Sequence, residues 1–197
     1  MKKLKTPKLP ESITELNETQ AKCLSYLYDE SDRGCVLVAS GLIDVALESL
    51  FKVKLFPTKL SQDNENAIFS PMGPLGAFSA RIKLAYALGY VTKIIHDDLN
   101  LIRALRNYCA HSYVGPDFDD NEFALKVSAI QTGKTIYNSV IAQFPCTENS
   151  ASDSLNDVDG REFLPSRFQF MICAAEIAHQ ILDLIRTSAT EHNVQPT

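Results

Sequence analysis

The sequence predicts an all-α fold, a single-domain bundle of about six helices, and three observations lead there. Apolar residues recur at helical spacing through most of the chain, and no stretch alternates apolar and polar residues with period two over a useful length. The chain also has 197 residues and 45% hydrophobic content, which suits one domain with a substantial core.

The elements follow in order. Ile13, Leu16, Leu24 and Leu27 space a first helix over 13–28. The stretch CVLVASGLIDVALESLFKVKLF predicts a second over 35–55; it is apolar nearly all round at first and amphipathic later, as a central helix should be, and Pro57 stops it. Between Pro57 and Pro74 the chain carries Pro, Ser, Asn and Gly without helical period, and this reads as a loop ending in SPMGPLG. Phe78, Ile82, Ala85 and Leu88 then share one face of a helix over 78–89, with Gly89 as a terminal residue of positive φ. Further helices are predicted over 94–111, 121–142 and 166–188.

Two segments stand apart. Lys2, Lys3, Lys5 and Lys8 have no acid among them and mark residues 1–12 as a basic, flexible tail. Residues 145–165 hold five acids against one Arg and almost no large apolar side chain, so they read as a mobile acidic loop within a helical domain spanning 13–190.

Charge and cysteine usage narrow the function. A net charge of −5 gives no global field to hold a polyanion, and no helix-turn-helix pair with a basic recognition helix, zinc-finger spacing or basic coiled coil is visible. Direct, sequence-specific DNA binding is therefore not expected. Cys23, Cys35, Cys109, Cys146 and Cys173 are odd in number and scattered, with no C-x-x-C pair and no His at ligand spacing; reduced buried thiols and no metal or cofactor are expected. No run approaches the roughly 18 uninterrupted apolar residues of a membrane span, and MKKLKTPKLPES lacks the apolar core of a signal peptide, so a cytoplasmic location is expected.

Three apparent motifs fail on spacing. A phosphate loop ending in Gly133-Lys134-Thr135 would need Gly where Ser128 stands. A calcium loop around Asp157, Asp159 and Gly160 would need ligands at Leu155 and Ser166. Ser40-Gly41 follows no strand, so it is no nucleophile elbow, and Gly41 is expected to let two helices pack closely.

The informative stretch is IRALRNYCAHSY, over 102–113. At 100° per residue Leu101, Ile102, Leu105, Tyr108 and Cys109 cluster on one side, while Arg103, Arg106, Asn107 and His111 share the other, with the small Ala110 among them. One reading is the solvated face of a helix, with Arg and His near the negative end of its dipole. The other is a cationic, hydrogen-bonding stripe suited to an anion or a carboxylate-bearing partner. The stripe is expected to bond its own fold or a twin subunit.

In sequence, Arg106-Asn107-Tyr108-Cys109-Ala110-His111 resembles the R-x4-H signature of the HEPN superfamily of helical domains. That resemblance implies a metal-independent ribonuclease acting as a homodimer, with His111 as acid or base, Arg106 as phosphate stabiliser and Asn107 as orienter. A longer resemblance is more specific. GPLGAFSARIKLAYALGYV over 73–91 and DDLNLIRALRNYCAHS over 97–112, with SGLIDVALESL before them, are similar to the mannitol operon repressor family, over roughly residues 15 to 145 and the final helix. That family implies an all-α transcriptional regulator and no enzyme. With no DNA-reading device visible, it would act indirectly through another regulatory protein, as a homo-oligomer expected to be a dimer. A non-enzymatic helical interaction module is the remaining alternative. Within GPLGAFSAR, Pro74 and Gly76, with Gly73 before them, are expected to shape the turn into a helix, and Arg81 to reach carbonyls or acids nearby.

Overall fold

A computed structural model describes residues 17–56, 60–113, 117–118, 120–142, 155–156, 162–163 and 165–193. Among them are eight helices: α1 (Glu18–Tyr28), α2 (Asp32–Leu55), α3 (Gln62–Phe69), α4 (Phe78–Ala87), α5 (Lys93–His111), α6 (Asn121–Ser128), α7 (Lys134–Ile141) and α8 (Pro165–Asn193). A two-residue ladder pairs β1 (Leu155–Asn156) antiparallel to β2 (Glu162–Phe163). The basic tail over 1–12 and most of the acidic loop over 145–165 lie outside the described residues.

Local chemistry sets most boundaries. Asn17 and Gln20 form a capping box at the start of α1, Ser31 accepts from the Gly34 N–H to open α2, and Thr92 accepts from the Ile95 N–H to open α5. At the end of α4, Gly89 takes φ 71° and donates to the Tyr86 carbonyl, while the Tyr90 N–H reaches the Ala85 carbonyl. This paired closure needs a left-handed residue after the helix, which Gly supplies without a Cβ penalty.

Helices α2 and α8 lie against each other and form the centre. α1 packs on both, α5 and α4 cover α2 from the other side, and α6 and α7 cover α8. Leu47, Leu50, Phe51, Leu99, Ile102, Leu105, Phe118 and Phe170 are fully buried in one continuous core. Cutting Leu47 or Leu50 to Ala would cost about 2–5 kcal/mol by lost burial and a residual cavity. Both α2 and α8 are long and apolar enough by composition to cross a membrane, yet half or more of each such window is buried inside this core.

Three expectations are corrected. The loop between Pro57 and Pro74 contains α3, whose apolar residues sit only at its end, where Phe69 alone is buried. The helix expected over 121–142 is two helices, because Asp98, buried on α5, accepts the Gln131 and Thr132 N–H groups at 3.0 and 2.7 Å and pins a turn there. Gly133 follows at φ 81° with its α-carbon side facing α8: an added Cβ would lie 3.0 Å from the Cys173 Cα. Last, Gly41 is not a close helix contact, since a Cβ there would meet nothing within 4 Å.

The first turn of α8 is tied to the junction of α1 and α2. Arg167 donates to Asp32 at 2.7 Å, to the carbonyls of Leu27 and Tyr28 at 3.2 and 3.1 Å, and to the Glu30 carbonyl. Its guanidinium thereby satisfies the orphan carbonyls at the end of α1 and the acid at the start of α2.

Candidate functional site

The site is built where α4 begins against α2 and α5. Residues 70–77 turn back over the end of α3: the Gly73 N–H bonds the Ser70 carbonyl, the Leu75 N–H bonds the Ile68 carbonyl, and the Gly76 N–H bonds the Gly73 carbonyl. Pro74 occupies the second position of that last turn, where its fixed φ is an advantage, and it is exposed. Gly76 is required for space, because a Cβ there would sit 2.0 Å from the Ser70 carbonyl oxygen, and at Gly73 it would sit 2.4 Å from that of Ile68.

This turn delivers Ala77 to the N-cap of α4 with no side-chain cap, so the first-turn N–H groups of α4 receive no side-chain acceptor. One turn in, Arg81 is only 5% exposed and bonds Asp44 at 2.6 Å and Glu48 at 2.7 Å, both on α2. Glu48 also pairs with Lys52 at 2.9 Å, and Lys52 reaches Glu65 on α3. Three helices are therefore joined by one chain of alternating charges, and Arg81 reaches two acids rather than carbonyls.

Beside that chain lies a polar cleft of about 320 Å³ lined by Asp44, Gly76, Ala77, Phe78, Ser79, Arg103, Arg106 and Asn107. It brings together the two separately read segments, the GPLGAFSAR turn and the α5 stripe. Arg106 stands over the Phe78 ring at 5.9 Å, a cation–π contact. The Arg103 Nε is buried without a hydrogen-bond partner among the described residues. His111 lies off the cleft, exposed in the last turn of α5, where the helix dipole favours a cation. Among the described residues no side-chain hydrogen bond or ion pair joins Arg103, Arg106, Asn107 or His111 to the rest of the fold, and Arg106 has only its contact with Phe78. The apolar side of α5 is as expected at Ile102, Leu105 and Cys109, whereas Tyr108 is 46% exposed, under the Lys126 ammonium.

Asp44, Phe78 and Ser79 were not legible as site residues. The available signal was the Asp44/Glu48 pair one turn apart in the apolar stretch of α2, which asks for a cation opposite.

Other chemistry is muted among the described residues. No group of three His, Cys, Asp or Glu side chains is placed to hold a metal ion. Cys23, Cys35, Cys109 and Cys173 are free and buried. Burial pushes the thiols of Cys35 and Cys173 up to about 12 and those of Cys23 and Cys109 up to about 11, so they are neutral and poorly nucleophilic near pH 7. Cys146 lies outside the described residues.

Fold and cleft together define an all-α domain with an arginine-lined polar surface cleft. Residues 65–175 match the family described as MtlR, mannitol repressor, which is more than half of the chain, and the chain belongs to that family. Its fold is similar to a chain in the X-ray structure of the MtlR-HPr complex from Escherichia coli, with a TM-score of 0.59 at 19% identity, covering 84% of this chain and 99% of that one. No curated protein sequence matches the chain.

Proposed function

We propose that this protein is a cytoplasmic transcriptional regulator of the mannitol repressor type that acts through a protein partner and not through a DNA-reading element of its own. The observation that carries the reading is the family match over 65–175, which contains both the GPLGAFSAR turn and the α5 stripe. The partner is an HPr-like protein: the similar structure is of an MtlR-HPr complex. Activity as an enzyme is not part of this reading, and the homodimer expected from the sequence is.

Titration calorimetry of the purified chain with HPr from the same organism tests the partner. Saturable binding together with altered transcripts of a polyol-utilisation operon on deletion is the expected result. Against operator DNA the pure protein should bind without sequence preference and no more tightly than about 10⁻⁴ M at physiological salt. Tight, sequence-specific DNA binding by the pure protein would overturn indirect action. An RNA-cleaving activity that disappears in His111→Ala, with the fold intact, would overturn the regulator reading itself.

A further inference from the structure

We propose that the cleft between the start of α4 and α5 binds a small phosphorylated polyhydroxy compound, with the phosphate held by Arg103 and Arg106 and the hydroxyls by Asp44, Asn107 and Ser79.

The starting point is a pair of charges without a counter-charge. Arg103 and Arg106 both line the cleft, and neither has a carboxylate partner among the described residues. Asp44 is the acid in the lining, and its Oδ1 accepts from Arg81, which lies behind it, at 2.6 Å. The guanidinium of Arg106 stands over the Phe78 ring at 5.9 Å, a contact that leaves its N–H donors without an acceptor among the described side chains. Arg103 is half-buried, and its Nε is buried with no acceptor among the described residues and no ion pair. Two fork-shaped donors on one cleft wall that no carboxylate pairs with match a tetrahedral dianion better than a single carboxylate, because each can bond two oxygens.

The protein backbone points the same way. α4 has ten residues, its N-cap Ala77 offers no side-chain acceptor, and Ala77, Phe78 and Ser79 line the same cleft. A phosphate between the arginines would also meet the positive end of that helix. Gly76 matters here for a second reason, because a side chain in that lining would narrow the opening as well as strike Ser70.

Volume and lining chemistry set the rest of the ligand. About 320 Å³ is at the small end of ligand clefts, larger than a bare phosphate needs and suited to a phosphate with a short tail. The groups left for that tail are a carboxylate, an amide and a hydroxyl, on Asp44, Asn107 and Ser79. These accept from and donate to hydroxyl groups, and only Phe78 would favour an apolar tail. The inference is about binding at one cleft and stands whether or not the regulator reading holds.

Titration calorimetry on the full chain at low ionic strength, with sorbitol 6-phosphate, inorganic phosphate, sorbitol and citrate as separate probes, tests it. The expected result is one saturable site for sorbitol 6-phosphate, weaker binding of inorganic phosphate at the same site by competition, and none for sorbitol. Arg103→Gln and Arg106→Gln should each weaken sorbitol 6-phosphate about tenfold or more. Arg186→Gln, at an exposed arginine on α8, should leave it unchanged. Should either cleft variant lose its fold by circular dichroism, Asn107→Asp, which places a negative charge on an exposed lining residue, supplies the same readout with the core untouched. Absence of saturable binding at millimolar probe, binding that survives the cleft variants, or citrate binding as tightly as sorbitol 6-phosphate would each overturn the proposal.

Discussion

Two sets of arginines border Asp44, and they have opposite circumstances. Arg81 is buried and spans two carboxylates of α2, whereas Arg103 and Arg106 open onto a cleft and meet no carboxylate among the described residues. A charge taken out of water must be compensated by its own fold, so Arg81 is part of the scaffold that holds α4 to α2. A charge left at a cleft wall keeps its water and is free to exchange it for a ligand. The same residue type, on the neighbouring helices α4 and α5, therefore serves architecture in one place and is left open to a ligand in the other.

The largest expected effect is on the scaffold side. Arg81→Met leaves Asp44 and Glu48 facing a half-buried crossing without their cation, and should cost about 3 kcal/mol, the lower end for a broken buried pair because Glu48 keeps Lys52. Chemical denaturation would measure it, and a loss under about 1 kcal/mol would erase the contrast between the two arginine sets. Next comes Asp98→Ala, which strips two backbone N–H groups of their acceptor at the α6–α7 turn, for about 2 kcal/mol. Gly76→Val should cost about 1–3 kcal/mol, since its side chain strikes the Ser70 backbone, and it should also weaken any ligand of the cleft.

Buried thiols sharpen the comparison in another way. Burial holds the Cys35 and Cys173 thiols at about 12, and those of Cys23 and Cys109 at about 11, against an ordinary 9.0. The folded values lie above the unfolded one, so this contribution to stability is complete below pH 9 and is lost as pH rises toward 11 and 12. Melting temperature should accordingly fall between pH 8.5 and 10.5, and by less in Cys173→Ala corrected for its own change at pH 7. The smallest effects belong to the cleft. Arg103→Gln and Arg106→Gln should each shift stability by no more than about 0.5 kcal/mol, the size of an exposed cation–π contact or less. Two small shifts beside one large one would complete the contrast.

Periodicity and caps made most of the bundle legible. The face of Ile102, Leu105 and Cys109, the stop after Leu55 and the left-handed Gly89 all follow from residues within a few positions of one another. What the sequence hid depends on distant partners. Apolar spacing runs on through 121–142, but the break is imposed by Asp98, more than thirty positions away, through bonds no local pattern encodes. α3 is hidden because a short polar helix carries its only buried residue, Phe69, at its last position. At the cleft, spacing alone grouped Arg103, Asn107 and His111, since they follow at one turn each. Only the first two reach the cleft, because α4 starts opposite the middle of α5 and its N-terminal turn does not extend to the end of that helix.

The junction of Arg167 with Asp32 also has a consequence for how the protein is made. These partners are separated by 135 positions, and α2 finds its principal neighbour in α8, the final helix described. At about 5–20 residues per second, a ribosome that has finished Asp32 needs on the order of ten seconds more before Arg167 exists at all. For that interval the apolar surface of α2 that belongs against α8 has no mate, and the nascent chain carries it uncovered. Shielding by a holding chaperone should therefore matter most while 35–55 is out of the exit tunnel and 168–181 is still inside, and a release of that chaperone should coincide with completion of the last helix.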